Sequence, residues 1–363
     1  MKKLKKLIKN PGGFFRDYFN KRYPIIRNEI SCPDYDEETL IHHDTILENK
    51  IKTELKIDVV YTWVNNQDPD WQSKFNEICN AKNLSALGQY AQDSARFDNH
   101  NEIFFSLRSI HHFMPWVNMI YIVTDSQIPT GIELSENIKI IDHKDIIDNR
   151  YLPTFNSHVI EAHLHKIPGL TENFIYFNDD VFAARPLEAS HFFKSNGISS
   201  LFLSNKSLNF MKERGVETPT LSASLNVKLL LARDYQFNFD SPLVHTYIPL
   251  KKSMFELAWD KYHDDIHGFL NNRFRTNEDI NVATCMVPWL AYIHGKSFPS
   301  RDVCYYFNIR SSAAKSYYKA LSKSKTIENA PHSFCANDFN SEKTTLDNYH
   351  DLLLSNLKNY FGK

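Results

Sequence analysis

The run Ile57-Asp58-Val59-Val60-Tyr61-Thr62-Trp63-Val64 decides the fold class. It is rich in β-branched and aromatic residues and ends at Asn65-Asn66, a pattern that predicts a buried strand followed by a loop. Further apolar runs alternate with helical spacings along the chain, and they predict strands at Met119–Val123, Ile138–Asp142 and Phe174–Phe177. We therefore predict an α/β protein with a mainly parallel, Rossmann-like sheet flanked by helices, and an active site beyond the carboxyl ends of the strands.

Helical patterns lie between and after these strands. Asn99 and Glu102 suggest a capping box that opens a helix ending before Pro115. After about Phe193 the periodicity weakens, and we predict a loop-rich stretch through Pro242. The other predicted helices are Ser157–Lys166, Ser253–Tyr262, Glu278–Tyr292 and Thr344–Phe361.

The charge pattern changes sharply near Lys50. Residues 1–30 carry nine Lys/Arg and two acids, whereas residues 31–50 carry six acids and one Lys. We predict a basic amphipathic segment and an acidic linker over 1–50, and one catalytic domain over 51–363. That domain divides into an α/β core (57–193), a helical and loop-rich half that completes the site (194–343) and a final helix (344–363).

Composition limits the function classes. The formal net charge is −1 and the body of the chain has no long basic tract, so nothing favours nucleic-acid binding. The five cysteines never form a C-x-x-C pair, which argues against a disulfide framework or a zinc knuckle. No stretch approaches the about 18 apolar residues that cross a bilayer, and the first residues lack the apolar core of a signal peptide, so we expect a cytoplasmic protein.

Consecutive carboxylates follow the strand Phe174–Phe177. Asn178, Asp179 and Asp180 stand where a ligand of a parallel sheet would bind, and oxygen ligands of this kind suit Mg²⁺ on a diphosphate. An Asx-type turn that caps the strand is the alternative.

A polar helix face is predicted before that strand. His158, Glu161 and His165 are spaced i, i+3 and i+7, which would place them together on the predicted helix. We favour a substrate-facing surface, with a zinc site as the alternative, because the spacing differs from the H-E-x-x-H pattern.

Two arginines are candidate phosphate ligands. Arg96 and Arg275 each precede amide and acidic residues, and a guanidinium can hold a phosphate through two hydrogen bonds. Surface salt bridges are the alternative for both. Asp279 could instead lie in the first turn of a helix that begins near Thr276.

These residues resemble the four conserved regions of the Stealth family, which includes capsular polysaccharide phosphotransferases and the animal enzyme that starts the mannose-6-phosphate tag. Asp58–Asn65 resembles the first region, and residues 96–187 resemble the second almost throughout. The third region resembles His245–Pro249 with Arg273–Asp279, and the fourth resembles Cys335-Ala336-Asn337-Asp338.

The resemblance implies a glycosyltransferase-A-like fold and transfer of hexose-1-phosphate, commonly N-acetylhexosamine-1-phosphate. The donor would be a UDP-hexose or UDP-N-acetylhexosamine, the acceptor a glycan hydroxyl, the released product UMP, and the cofactor Mg²⁺, with Mn²⁺ as a substitute. The acceptor's specificity is left open, because residues 197–240 match nothing in the family pattern.

The expected roles follow from the same resemblance. Asp179 and Asp180 would position Mg²⁺, with Asn178, Asn337 and Asp338 completing its shell. His245 would be the general base, with Asp180 or Asp279 as rivals, and Arg96 and Arg275 would stabilise the transferred phosphoryl group. The remaining expected substrate-binding residues are Asn65 and Asp68 near the uridine, then Asp98, Asn99, Glu102, Asn156, His158 and Glu161.

Two other functions remain open from the sequence. A metal-dependent glycosyltransferase would pass on the sugar alone and release UDP. A non-catalytic nucleotide-sugar or glycan-binding module would release neither nucleotide.

Residues 1–30 generate a prediction about membranes. Met1, Leu4, Leu7 and Ile8 share one helical face among lysines, which fits a helix on the anionic inner surface of the cell membrane. Packing of this helix on its own domain or on a partner is the alternative. If it binds lipid, deleting residues 1–30 will reduce co-sedimentation with anionic liposomes, while zwitterionic liposomes serve as the control. Unchanged sedimentation would favour the packing role.

Overall fold

Strand β1 (Ile57–Thr62) lies in the middle of the largest sheet, as its continuous apolar pattern requires. The computed structural model describes residues 11–12, 15, 54–81, 97–132, 135–323, 330–339 and 346–362. Most of the predicted amphipathic segment, the boundary near Lys50 and Arg96 therefore lie outside the described residues.

The large sheet has five strands in the spatial order β3-β2-β1-β4-β7. Strands β1 to β4 are parallel, and only β7 pairs antiparallel, with β4. The mainly parallel α/β class is confirmed. The remaining strands of this sheet are β2 (Ile120–Thr124), β3 (Ile138–Asp142), β4 (Asn173–Asn178) and β7 (Ile248–Lys251).

Both faces of this sheet are buried. Successive residues of β1, β2 and β4 alternate between two hydrophobic clusters, as the two-residue period of a strand dictates. In β1, Val60 enters one cluster while Val59 and Tyr61 enter the other. The first cluster extends as far along the chain as Ala291, so the two predicted halves share a core.

A second sheet of three strands stands at the carboxyl end of β4. Its order is β5-β10-β9, with β5 antiparallel and β9 parallel to β10. A pair of parallel strands, β6 and β8, forms a third sheet. These strands are β5 (Val181–Ala183), β6 (Ser199–Phe202), β8 (Ser297–Ser300), β9 (Cys304–Asn308) and β10 (Ser333–Asn337).

Helices cover both faces of the large sheet and one side of the second. In the described residues none is long and apolar enough to cross a membrane. A π-helical turn, Val282–Met286, leads into α10, and short 3₁₀ turns occupy Asn149–Tyr151 and Leu164–Lys166. The helices are α1 (Pro69–Ala81), α2 (Glu102–Phe113), α3 (His143–Ile146), α4 (Ser157–Ala162), α5 (Ala189–Phe192), α6 (Leu208–Glu213), α7 (Pro219–Tyr235), α8 (Lys252–Lys261), α9 (His263–Phe269), α10 (Val287–Ile293), α11 (Ala314–Lys323) and α12 (Tyr349–Phe361).

Two predicted helices have different starts from those expected. Helix α2 begins at Glu102 itself, and the Glu102 carboxylate accepts the backbone N–H of His100, so the predicted capping box is wrong. The predicted helix at Glu278 begins only at Val282, where Asn281 is the N-cap. Asp279 does not serve as a first-turn acid because its side chain turns into the core.

Two other expectations about helices were also wrong. The predicted helix Ser157–Lys166 is interrupted at His163, and a 3₁₀ turn follows. The stretch predicted to be loop-rich contains α7, a helix of 17 residues. Thr218 caps α7 and Pro219 opens it, which is a recognisable start signal that the weak apolar periodicity obscured.

Candidate active site

The paired ends of β1 and β4 form the floor of the candidate site. Thr62 and Asn178 stand opposite each other in the register, and Asp179 and Asp180 follow immediately. The Thr62 hydroxyl and the Tyr176 hydroxyl are 2.8 Å apart. This contact joins the two strands just below the acidic turn.

Asp180 is held by the last strand of the chain. Its Oδ2 atom accepts Nδ2–H of Asn337 at 2.8 Å and the thiol of Cys335 at 3.2 Å. Its backbone carbonyl accepts the N–H of Ala336 at 3.0 Å. The Oδ1 atom is buried and has no hydrogen-bond partner in the part of the chain that the structure describes. One carboxylate oxygen is therefore oriented by the protein while the other remains available to a ligand.

The carboxylates around Asp180 repel one another. Desolvation, and then the charge of Asp180, raises the pKa of Asp179 to about 7. Burial, and then Asp179, raises the pKa of Glu102 well above its ordinary value. Charge repulsion of this kind makes the cluster a favourable place for a bound cation.

His245 lies beside this cluster, in the loop before β7. One ligand atom each of His245, Asp180 and Cys335 lies within 4.8 Å of the other two. The imidazole reaches solvent, and its ring packs edge-on against Tyr306 at a centroid distance of 5.4 Å. Desolvation lowers the pKa of His245, with Asp180 acting in the opposite direction. The ring is therefore neutral at lower pH than a free imidazole.

Besides Lys206, two further charged residues act on His245, namely Glu161 and Arg275. Both act electrostatically on the His245 imidazole and on the Tyr176 hydroxyl. Hydroxyl groups position Arg275: Nε donates to Ser157 at 3.1 Å, Nη1 donates to Thr220 at 3.2 Å, and Nη2 also donates to Ser157. A guanidinium has five N–H groups, so two remain for a substrate.

Asp279 is the centre of a buried hydrogen-bond network. Its Oδ2 atom accepts from His158 at 3.0 Å and from Asn156 at 2.8 Å. Its Oδ1 atom accepts from Asn272 and Thr276, each at 2.9 Å. Burial alone would raise the pKa of Asp279, but these hydrogen bonds hold it below its ordinary value. Burial lowers the pKa of His158, and its hydrogen bond to Asp279 acts in the opposite direction.

The same network supports the loop that carries Arg275. The Asn156 amide donates to the carbonyls of Asn272 and Phe274, each at 3.2 Å. Asp279 is fully buried, and none of its carboxylate hydrogen bonds reaches the acidic turn. Asn156, His158 and Asp279 therefore position Arg275 through its loop, and not through contact with the acidic turn.

Asp338 belongs to an ion-pair chain. Arg310 donates through Nη2 to Asp338 at 2.8 Å and also through Nε, and His100 Nε2 lies 2.9 Å from the same carboxylate. Burial would raise the pKa of Asp338, but these contacts hold it below its ordinary value. Arg310 also lies 3.4 Å from Asp98, which in turn accepts from Asn66 at 2.8 Å. This chain joins the loop after β1 to the loops after β9 and β10.

The loop after β1 is tied to the end of β2. The Gln127 amide accepts the N–H of Asn65 at 2.9 Å and donates to its carbonyl at 2.8 Å. Asp68 accepts the N–H of Trp71 at 2.9 Å and so caps α1. The Gln127 contacts thus hold the loop after β1 beside the segment after β2, beyond the last backbone hydrogen bonds between the two strands.

Comparisons with known proteins place the chain in a family. The models described as Stealth protein conserved regions 1 and 2 match residues 55–76 and 96–201. A capsular polysaccharide phosphotransferase LcbA of Aeromonas hydrophila is 56% identical over 363 residues, covering 100% of both chains. A protein with the same name in Neisseria meningitidis is 54% identical, covering 99% of this chain and 100% of that one.

The chain belongs to the Stealth family of capsular polysaccharide phosphotransferases. The resemblance seen in the sequence is confirmed, and so is the enzyme class, a transferase of phosphate-containing groups. A galactosyltransferase, LgtC, solved with donor and acceptor sugar analogues, is matched with a TM-score of 0.37 and 8% identity, over 84% of this chain and 95% of that chain.

The Stealth residues named from the sequence fall into three groups. One group surrounds the acidic turn: Asn178, Asp179, Asp180, Glu102, Glu161, His245, Arg275 and Asn337. A second is the buried network of Asn156, His158 and Asp279. The third lies along the loops after β1 and before α2, and comprises Asn65, Asp68, Asp98 and Asn99.

The predicted polar helix face does not form. His165 stacks on Phe255 at 5.4 Å, His158 turns to Asp279, and among the described residues these two form no metal-ligand group with Glu161. The break at His163 rotates them apart.

Sequence reasoning missed Arg310 and Gln127. Arg310 follows an aromatic strand, Cys304–Asn308, in the same way that the acidic turn follows β4, and that pattern could have revealed it. Gln127 lies in the second family region, but no role was assigned to it. A side-chain amide that bonds to the backbone of another strand has no local sequence signal.

The Asp279 network predicts a structural effect of substitution. Asp279→Asn replaces one acceptor oxygen with a donor that faces other donors, so the free energy of unfolding in urea is expected to fall by roughly 2 kcal/mol or more. The neighbouring exposed Glu278→Gln is the matched control. Because the folded-state pKa of Asp279 is depressed, the difference from wild type is present above the ordinary carboxyl pKa and shrinks as the pH falls below it. Normal stability with lost turnover would instead indicate a direct catalytic role.

Proposed function

We propose that the protein transfers hexose-1-phosphate, foremost N-acetylhexosamine-1-phosphate, from a UDP-sugar to a glycan hydroxyl in capsular polysaccharide synthesis, with release of UMP. Family membership supports phosphotransfer, and one structural observation supports the site. The Asp179-Asp180 turn presents a buried, unpartnered carboxylate oxygen beside His245 at the carboxyl ends of parallel strands.

The residues of the acidic turn fit Mg²⁺. Asp180 Oδ1 has no partner among the described residues. The Asn337 side chain donates through Nδ2 to Asp180, which leaves the side-chain Oδ1 of Asn337 for a ligand. Asp179, Asp180 and Asn337 would hold the ion, with Mn²⁺ as a substitute and Asn178 beside it. We leave Asp338 out of this set because Arg310 and His100 engage its carboxylate. Bound Mg²⁺ would neutralise charge on the diphosphate.

The protein's own groups then supply alignment and proton transfer. The acceptor oxygen attacks the phosphorus that carries the sugar, the bond from this phosphorus to the UMP oxygen breaks, and the acceptor proton passes to His245 Nε2 or Nδ1. Attack at phosphorus leaves the anomeric bond intact, so the anomeric configuration is retained. His245 is the preferred base because its neutral form persists at working pH, whereas Asp279 is fully buried and bonded at both oxygens.

Arg275 is assigned to the transferred phosphoryl group. Ser157 and Thr220 orient its guanidinium, and its charge already acts on His245, so it lies within electrostatic reach of the reacting groups. Glu161 acts on the same imidazole and would orient it or bind a sugar hydroxyl. Arg96 is proposed as the second phosphate ligand from the family pattern.

The uridine is assigned to the loop after β1. Asn65 and Asp68 stand there, and Gln127 and the Trp71 amide fix the backbone that presents them. Asp98 and Asn99 line the neighbouring segment. The reaction is assigned to the cytoplasm, at the inner face of the cell membrane if residues 1–30 bind lipid.

Phosphorus NMR with UDP-N-acetylglucosamine, Mg²⁺ and a crude glycan acceptor tests the reaction. Wild type is expected to produce UMP and a new phosphodiester signal, and Asp180→Asn should lose both because the free acceptor oxygen becomes part of a neutral amide. The exposed Asp264→Asn is the control for a charge change of the same kind.

The nucleotide that is released in that experiment distinguishes the alternative functions. UDP in place of UMP would replace the proposal with a glycosyltransferase. Donor binding without either nucleotide, across a panel of UDP-sugars, would contradict catalysis and leave a binding module.

His245→Ala tests the base. Turnover is expected to fall at least about a hundredfold, while donor affinity, measured by calorimetry, changes little. The exposed His263→Ala should leave both unchanged. Turnover close to wild type in His245→Ala would remove this residue from the role.

A further inference from the structure

A soft ligand stands in the site that we assign to Mg²⁺. The Cys335 sulfur, an imidazole nitrogen of His245 and a carboxylate oxygen of Asp180 lie within 4.8 Å of one another. Neither the proposed reaction nor Mg²⁺ binding uses the thiol, since Mg²⁺ takes oxygen ligands. The three ligand types together are those of a Zn²⁺ site.

Three separate elements fix these ligands. Cys335 is on β10, Asp180 lies between β4 and β5, and His245 precedes β7. Asn337 and the Ala336 N–H hold Asp180 in place, and its buried Oδ1 has no protein partner. Only the imidazole is exposed, so it is the ligand that can move.

The distances require a small contraction. Bond lengths of about 2.0 Å to N and O and about 2.3 Å to S place tetrahedral ligand atoms about 3.5 Å apart. The Cys335 sulfur already lies 3.2 Å from Asp180 Oδ2. A swing of the His245 ring would close the remaining gap, and the solvent side of the ring leaves a fourth position for water.

We propose that Asp180, His245 and Cys335 bind Zn²⁺ and that this ion excludes Mg²⁺ from the active site. Without a cation the Cys335 thiol donates a hydrogen bond to Asp180 Oδ2. On binding, the thiol proton passes to water and the sulfur takes its place beside the metal. The ion occupies the carboxylate of Asp180 and a nitrogen of His245, which are the groups that we assign to Mg²⁺ and to the acceptor proton. Inhibition by Zn²⁺ therefore rests on the proposed function, whereas Zn²⁺ binding itself does not.

Cobalt spectroscopy of the full chain tests the binding. Co²⁺ added to chelator-treated protein is expected to produce a thiolate-to-cobalt charge-transfer band that saturates at one equivalent of Co²⁺. Added Zn²⁺ should displace Co²⁺ and abolish the band. In Cys335→Ser the band should be absent and Co²⁺ affinity at least about tenfold weaker. Serine keeps a hydrogen-bond donor for Asp180, so the local fold is expected to survive, and circular dichroism checks this.

Cys304→Ser is the matched control. Cys304 is a buried thiol on the adjacent strand β9, 3.7 Å from the His245 carbonyl, but it is outside the three-ligand set. It should keep the full band. Absence of the band in wild type, or equal bands in wild type and Cys335→Ser, would overturn the site.

Activity measurements separate the two proposals. If the protein releases UMP, Zn²⁺ should inhibit it, excess Mg²⁺ should restore the rate, and Cys335→Ser should lose zinc sensitivity relative to its own zinc-free rate. Zinc sensitivity equal in both proteins would contradict exclusion at this site. If no UMP is released, the proposed function fails, and the cobalt band still decides the metal site.

Discussion

The parallel pairing of β1 with β4 is the constraint on which the site depends. All six residues of β1 have partners in β4, from Ile57 opposite Asn173 to Thr62 opposite Asn178. Because both strands are buried on two faces, a one-residue slip would turn every apolar side chain to the wrong cluster. The hydrophobic core thus determines where Asp179 and Asp180 stand, although neither contributes to it.

Three polar networks then give the surrounding loops their positions. Asp279 holds the loop of Arg275, the Arg310 chain joins the loops after β1, β9 and β10, and Gln127 ties β1 to β2. In the Asp279 network both carboxylate oxygens accept hydrogen bonds. The acidic turn is different, since Asp180 keeps an unpartnered oxygen and Asp179 has a raised pKa. This oxygen without a partner stands at the place where a ligand would satisfy it.

The sheet was predictable from the sequence because its strands are continuous apolar runs that end in polar residues. The acidic turn was found from the same signal. The capping box at Asn99 was wrong because the Glu102 carboxylate accepts the N–H of His100 instead. The helix start at Thr276 was wrong because Asp279 bonds to the distant residues Asn156 and His158. His245 had no signal of its own and was identified only through the family motif. The role of Asp338 depends on Arg310, which lies 28 residues away, and such pairings need coordinates.

The second sheet has a consequence for how the enzyme is made. Strand β10 pairs with β5, and beside this pair Cys335 contacts Asp180 across 155 residues of sequence. During synthesis the ribosome releases β4 and the acidic turn long before β10, so Asp180 at first lacks Asn337 and Cys335. A chain that stopped before β10 would therefore lack the strand that orients the Asp180 carboxylate.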